Sequence, residues 1–264
     1  MRVLVAGLGD VGYPTAEYVA RKGLTVYGYD LRSRRSESFQ VFQDWNKIPD
    51  FDAALICVST SANDQSNVED IAKRMKNSKT LVSIESTVPV GTCRRLAETY
   101  GLRSLVHVPH RLWVKDLIHH GVKQERVIGA LNGESMNLGV NLYSKRLKIP
   151  LHKVSQLEVA ELCKVAENGY RYSQIAFAEY LKLVCKYQRL HFKDVREACN
   201  TKWNIQIPEA RSGIGGKCLP MAMRILGRLS PIELPGQLMR LDAEYRKRYR
   251  VRPLKKSIRR RSSF

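Results

Sequence analysis

The first 150 residues alternate short apolar runs with stretches of helical periodicity. Arg2–Ala6, Leu24–Tyr29, Ala53–Val58, Thr80–Glu85, Ser104–Val108 and Arg126–Ala130 read as strands, rich in Val, Ile, Leu and Ala with little internal polarity. Val11–Lys22, Val68–Lys76 and Val90–Tyr100 fall between them and read as amphipathic helices. Strand–helix alternation of this kind predicts a parallel sheet covered by helices on both faces, an α/β Rossmann-type plan.

The pattern changes at Ser155. From there to Leu190 the chain reads as one long helix, with apolar positions at Leu157, Ala160, Leu162, Val165, Ile175, Phe177, Leu181 and Val184. No Pro interrupts it, and Gly169 is its weak point. At ~1.5 Å per residue it would span about 50 Å, which suits a bridge between domains or a subunit interface. Shorter helical patterns follow at Phe192–Asn200, Leu219–Leu229 and Gly236–Arg248. The expected organisation is therefore a dinucleotide-fold domain over 1–150, a long-helix all-α domain over 151–239 and a basic tail over 240–264.

Composition narrows the picture. The 264 residues are 44% hydrophobic and 27% charged, which excludes wholesale disorder. No apolar run reaches the ~18–20 residues of a membrane helix, and the apolar opening is too short for a secretory signal. Six widely spaced cysteines without a C-x-x-C pair suit reduced thiols in the cytoplasm and give no metal-binding pattern. The net charge of +20 is uneven: Arg240–Phe264 holds 11 Lys+Arg against 2 Asp+Glu. Such a tail suits nucleic acid, an acidic partner, an anionic membrane surface or simple solvation, whereas the charge of the body suits anionic nucleotides.

One motif gives the first half a ligand. Gly7-Leu8-Gly9-Asp10-Val11-Gly12 is G-x-G-x-x-G between a strand and a helix, the context in which it cradles a pyrophosphate. Gly7 permits the turn, Gly9 lets the backbone approach the phosphates, and Gly12 lets helix and strand pack closely. Asp10 and Val11 lie inside this loop, at the positive end of the helix. Asp30 closes the second strand, where a carboxylate accepts from the ribose hydroxyls of NAD. Arg32, Arg34 and Arg35 follow and leave NADP as the alternative, but a carboxylate at Asp30 would repel a 2′-phosphate.

Three further motifs, taken with this loop, resemble the UDP-glucose/GDP-mannose dehydrogenase family. They are Ser86-Thr87-Val88-Pro89-Val90-Gly91-Thr92, the pair Lys164 and Asn168 on the long helix, and Gly213-Ile214-Gly215-Gly216-Lys217-Cys218-Leu219-Pro220. The resemblance runs over about residues 1–225. It implies NAD-dependent oxidation of a nucleotide sugar, a UDP- or GDP-hexose, at C6. It also implies that Cys218 holds the aldehyde as a thiohemiacetal and then a thioester. Gly215 and Gly216 would give the thiol and substrate backbone room, while Lys217 and a helix start just after Cys218 favour the anionic thiol. Lys164 and Asn168, four apart on one face, would polarise the substrate oxygen. Thr87 and Thr60 would lie near the nicotinamide, and Arg111 near the substrate.

The sequence also departs from that family. The family's Pro-Glu-Arg is Pro109-His110-Arg111 here, so His110 becomes the candidate general base. A family Asp after Cys-x-Pro is Ala222. After Leu229 the pattern reads as one helix and the basic tail, so the expectation is a shortened member without the second α/β domain that usually follows in the family. Three readings therefore stand: a short dehydrogenase, dimeric through the long helix; a non-catalytic relative working through its basic tail; and a β-hydroxyacid or 6-phosphogluconate type of dehydrogenase, which needs no thiol.

Overall fold

The computed structural model describes residues 1–113, 115–117 and 120–249. The strands are β1 (Arg2–Ala6), β2 (Thr25–Tyr29), β3 (Gln40–Phe42), β4 (Ala53–Ile56), β5 (Leu81–Ile84), β6 (Leu105–His107), β7 (Arg126–Ala130) and β8 (Leu151–Lys153). The helices are α1 (Gly12–Arg21), α2 (Ser66–Arg74), α3 (Thr92–Tyr100), α4 (Gly133–Val140), α5 (Leu157–Gln188), α6 (Phe192–Cys199), α7 (Cys218–Leu229) and α8 (Leu234–Arg248). The chain divides into two compact units, Met1–Lys164 and Val165–Phe264, with the division inside α5. None of the described helices is long and apolar enough to cross a membrane.

The first unit is an α/β sheet in the order β3-β2-β1-β4-β5-β6-β7-β8. The strand order reverses direction between β1 and β4, so their carboxyl ends open the crevice where such folds bind ligands. Every residue of β4, β5 and β7 is buried, as expected for strands covered on both faces. The two-residue pleat sorts them: Val3, Val5, Ala53 and Leu55 enter one core, and Leu4, Ala6, Ala54 and Ile56 enter the other. Burying each Leu or Ile in this way is worth about 1.5–3 kcal/mol, which fixes the register against a one-residue slip.

The all-parallel expectation needs one correction. β7 runs antiparallel to β6, with Val106 opposite Ala130, while β8 returns parallel to β7. Three elements also go beyond the sequence pattern. β3 and β8 are three-residue strands at the two edges, too short to show alternation. α4 contains Gly133 and Gly139, which lower helix propensity. Gly139 lets the helix lie close to the sheet, because a Cβ would fall 2.7 Å from Ile128 Cδ1 and 3.0 Å from Val106 Cγ1. Asn132 starts that helix by accepting from the Ser135 N–H.

The second unit packs the later part of α5 with α6, α7 and α8. Tyr172, Ala176, Ile214 and Met223 form one buried cluster, and Ala178, Leu183, Ile207, Ala210 and Tyr245 form another. Two expected core positions of α5, Leu162 and Phe177, are exposed instead. The inward stripe passes through Glu161, Val165, Tyr172, Ala176, Glu179 and Leu183, so polar residues occupy part of the buried face. Residues 240–248 of the basic tail lie in α8, and residues 250–264 lie outside the described residues.

A pair of glycines separates packing from ligand contact. A Cβ on Gly12 would meet Gly7 O at 1.8 Å, whereas a Cβ on Gly9 meets nothing within 4 Å. Gly12→Ala is expected to lower the unfolding free energy in urea by about 1–3 kcal/mol, and Gly9→Ala to leave it within about 0.5 kcal/mol.

Candidate active site

The dinucleotide loop is built by its backbone. Gly7 has φ +91°, which permits the turn out of β1, and its N–H donates to Tyr29 O. Asp30 closes β2 and accepts from the Leu8 N–H at 2.8 Å and the Arg32 N–H at 2.9 Å, so the carboxylate ties two loops together. Val11 precedes α1, and Asp10 is exposed at the loop tip. The open space at Gly9 and the oriented amides at the start of α1 fit a pyrophosphate.

Two more loops lie at the carboxyl ends of β4 and β5. Thr60 Oγ1 donates to Thr87 O at 2.7 Å, and Ser86 Oγ donates to Val58 O at 2.7 Å. The second loop is anchored further by α5. Glu161 accepts from the Gly91 N–H at 2.6 Å and the Cys93 N–H at 2.7 Å, capping α3 from another helix. Burial raises the carboxyl pKa of Glu161, and these amides oppose the rise. Glu161 escaped the sequence reading, although it lies one turn before Lys164 on α5.

His110 is the largest surprise of the first unit. It is buried, with its Nε2 turned onto the carboxylate of Glu85. Glu85 also accepts from Arg126 Nη1 at 3.1 Å and from the Tyr143 hydroxyl, which in turn pairs with Ser83 Oγ at 2.7 Å. Thr15 Oγ1 lies 3.1 Å from His110 Nε2. Burial would raise the Glu85 pKa, but His110, once acid protonates its imidazole, and the permanent charge of Arg126 hold it down to about 2. Burial lowers the His110 pKa, and the Arg126 guanidinium lowers it further. The imidazole is therefore neutral near pH 7. Glu85 selects the tautomer with hydrogen on Nε2, which leaves the Nδ1 lone pair facing no partner among the described residues. Cys57 Sγ, Glu85 and His110 place three potential ligand atoms within 4.8 Å, but the Arg126 guanidinium already supplies the positive charge there.

Lys164 is half-buried and raises the local positive potential at His110. Arg111, expected at the substrate, donates to Glu125 O at 3.0 Å. In the second unit, Asn168 keeps a buried Nδ2 with no partner among the described residues. Its neighbour Gly169 lets α7 pack closely, since a Cβ there would fall 2.4 Å from Leu226 Cδ1. Cys218 is the first residue of α7 and is exposed. Gly216, two residues earlier, has φ +82° and needs glycine, and Gly215 completes the turn. Ala222, in place of a carboxylate, is fully buried in α7. Thus Thr60 meets Thr87, and His110 joins a buried network that the sequence did not reveal.

Comparison with known proteins follows the same two parts. Residues 32–147 match the family model for the UDP-glucose/GDP-mannose dehydrogenase family, NAD binding domain, and residues 158–240 match that family's central domain. A UDP-N-acetyl-D-mannosamine dehydrogenase of Pyrococcus horikoshii is 29% identical over 262 residues, covering 83% of this chain and 62% of the relative. The Escherichia coli K12 enzyme of the same name is 26% identical over 263 residues, covering 82% and 62%. The chain thus spans about three fifths of the length of these curated relatives. A solved structure of UDP-D-ManNAc dehydrogenase from Pyrococcus horikoshii superposes with TM-score 0.82 at 26% identity, covering 93% of this chain and 69% of that one. NAD is the cofactor of the first unit.

The buried network sets an acid limit. The Glu85 pKa of about 2 lies below its ordinary value, and burial likewise holds His107 down to about 4. In both cases the unfolded chain binds more protons, so stability falls as pH drops, first through the His107 window and then through the Glu85 window. Glu85→Gln is expected to flatten the lower part of a urea stability–pH curve. Arg126→Met, which strands the Glu85 charge, should lower stability at pH 7 by about 3–5 kcal/mol.

Proposed function

We propose that this chain, which belongs to the UDP-glucose/GDP-mannose dehydrogenase family, oxidises the C6 alcohol of a nucleotide sugar to a carboxylate. The substrate class we favour is a UDP-linked N-acetylhexosamine, in keeping with the names of the relatives matched over most of the chain. The observation that carries the reading is the orphaned buried Nδ2 of Asn168 in the unit that also exposes Cys218. A buried donor without a partner is costly, and a substrate oxygen would satisfy it.

The residues then take these roles. Gly7, Gly9, Asp10, Val11 and Gly12 hold the pyrophosphate, Asp30 holds the ribose, and Thr60 and Thr87 border the nicotinamide. When bound there, NAD would supply the hydride acceptor for both oxidations at C6. Lys164 and Asn168 stabilise the developing oxyanion. The Cys218 thiolate adds to the aldehyde carbon, giving a thiohemiacetal, and loss of a second hydride gives a thioester. His110 then takes a proton from water through Nδ1, hydroxide adds to the thioester carbon, and the C–S bond breaks to release carboxylate and thiol. One alcohol and one water, with two equivalents of the oxidised dinucleotide as acceptor, would give one carboxylate, two equivalents of the reduced dinucleotide and three protons. Arg111, Gly215 and Gly216 contribute to holding the sugar nucleotide. Glu85 acts on this step only through His110, by fixing its tautomer.

A homodimer through α5 belongs to the same proposal. Val159, Leu162, Phe177 and Tyr180 are exposed on one stripe of that helix, an arrangement that a second copy would cover. Cytoplasmic residence is part of the same proposal, and the free cysteines are in keeping with it. The tail beyond Tyr249 is left for an acidic partner or nucleic acid, as a role separate from the chemistry.

The following measurements check the proposal. With NAD and UDP-N-acetyl-D-mannosamine, the protein is expected to raise absorbance from NADH. Cys218→Ala should reduce full oxidation at least 100-fold, and Gly9→Ala should weaken NAD binding at unchanged stability; equal rates for wild type and Cys218→Ala across a nucleotide-sugar panel would refute it. In sedimentation, Leu162→Glu with Phe177→Glu should convert a dimer to a monomer.

A further inference from the structure

The segment that leads to Cys218 is strapped by side chains of α5 and α8. Asp242 Oδ1 accepts from the Ile214 N–H at 2.8 Å, and Arg246 Nη2 donates to Ile214 O. Arg246 Nε in turn bonds both Asp242 oxygens, at 3.1 and 3.0 Å. A carboxylate–guanidinium pair thus holds both backbone groups of Ile214, as a neighbouring strand would. Gly213 makes room for it: its φ is +85°, and a Cβ would fall 2.6 Å from Arg246 Nε. Lys182 Nζ donates to Ala210 O at 3.1 Å, and the Tyr245 hydroxyl donates to Arg211 O at 2.9 Å. The Ile214 side chain itself is buried among Tyr172, Ala176 and Met223.

One member of this group has no donor. Glu179 is fully buried on α5, and neither of its oxygens meets a hydrogen-bond donor among the described residues. Its near neighbours are the Asp242 carboxylate, the Arg246 guanidinium, the Lys182 ammonium and the hydroxyls of Tyr172 and Tyr245. Two ionised carboxylates cannot hydrogen-bond each other, whereas a protonated Glu179 donates to Asp242.

We propose that Asp242 and Arg246 are positioning residues for Cys218, holding its loop through Ile214, and that a proton on Glu179 keeps this strap closed. The idea rests on Cys218 being the reactive thiol, but the strap itself is a claim about Ile214. Burial, with the negative Asp242 adding to it, pushes the Glu179 pKa up to about 8. The folded state therefore holds a proton that the unfolded chain releases above its ordinary carboxyl range. The contribution is complete at acid pH and is lost as pH rises through about 8. Above that, a second negative charge beside Asp242 competes for Arg246 and loosens its grip on Ile214.

The test uses the full chain and two readouts. Hydrogen exchange at the Ile214 amide, corrected for intrinsic rate, should accelerate at least tenfold between pH 7 and 9 in wild type. It should stay flat in Glu179→Gln, which keeps a donor at every pH. Asp242→Ala should exchange at the fast rate already at pH 7, while Asp242→Asn, which keeps the acceptor, should remain protected. Iodoacetamide labelling read by peptide mass gives the second measure: the rate ratio of Cys218 to the exposed Cys199 should change over the same pH range in wild type and not in Glu179→Gln. Exchange at Ile214 that is equally slow in wild type and Asp242→Ala would overturn the strap. A pH-dependent strap with an unaltered labelling ratio would overturn its role in positioning Cys218. Neither result depends on NADH formation, so a failure of the dehydrogenase reading is seen separately, in Cys218→Ala turnover.

Discussion

A full negative charge inside the first unit governs much of what surrounds it. The Glu85 side chain has no exposure to water, and the residue follows β5 directly. A carboxylate in such a place survives only with positive and hydrogen-bonding neighbours on every side. Arg126 comes from the start of β7, Tyr143 from the turn after α4, His110 from the loop after β6 and Ser83 from β5 itself. Four separate parts of the chain are thereby fixed at one point beneath the crevice. The antiparallel turn-back of β7 is what delivers Arg126 there, because its first residue must reach the carboxyl end of β5.

Much of the fold was legible because parallel strands buried on both faces need continuous apolar runs. β1 and β7 have the bounds that their sequence predicts, and α5 differs by two residues at each end. The missed elements share a physical reason. β3 and β8 are too short for a period to form, and Gly139 of α4 answers to its neighbours Ile128 and Val106 rather than to helix propensity. The direction of β7 was hidden too, since a buried strand has the same composition either way.

The site was legible in a different measure. Glycine loops and the thiol motif are local, so adjacent residues suffice to suggest them. The charge networks are not local: Glu85 and Arg126 are 41 residues apart, and Ile214 and Asp242 are 28 apart. An acid within the inward stripe of α5 was the available clue to Glu179, because Tyr172, Ala176 and Leu183 flank it at helical spacing. It was masked by more conspicuous apolar residues such as Phe177, which turn outward.

Asp30 has a consequence for how the first unit receives its dinucleotide. One of its oxygens holds the Leu8 amide and the other the Arg32 amide. The loop after β1 and the loop after β2 are thus joined before any nucleotide arrives. Their conformational entropy has already been lost in folding, so the ligand meets a rigid rim and need not order it. Replacing this carboxylate would do more than remove a ribose contact, since it would also release both loops and make recognition an ordering event.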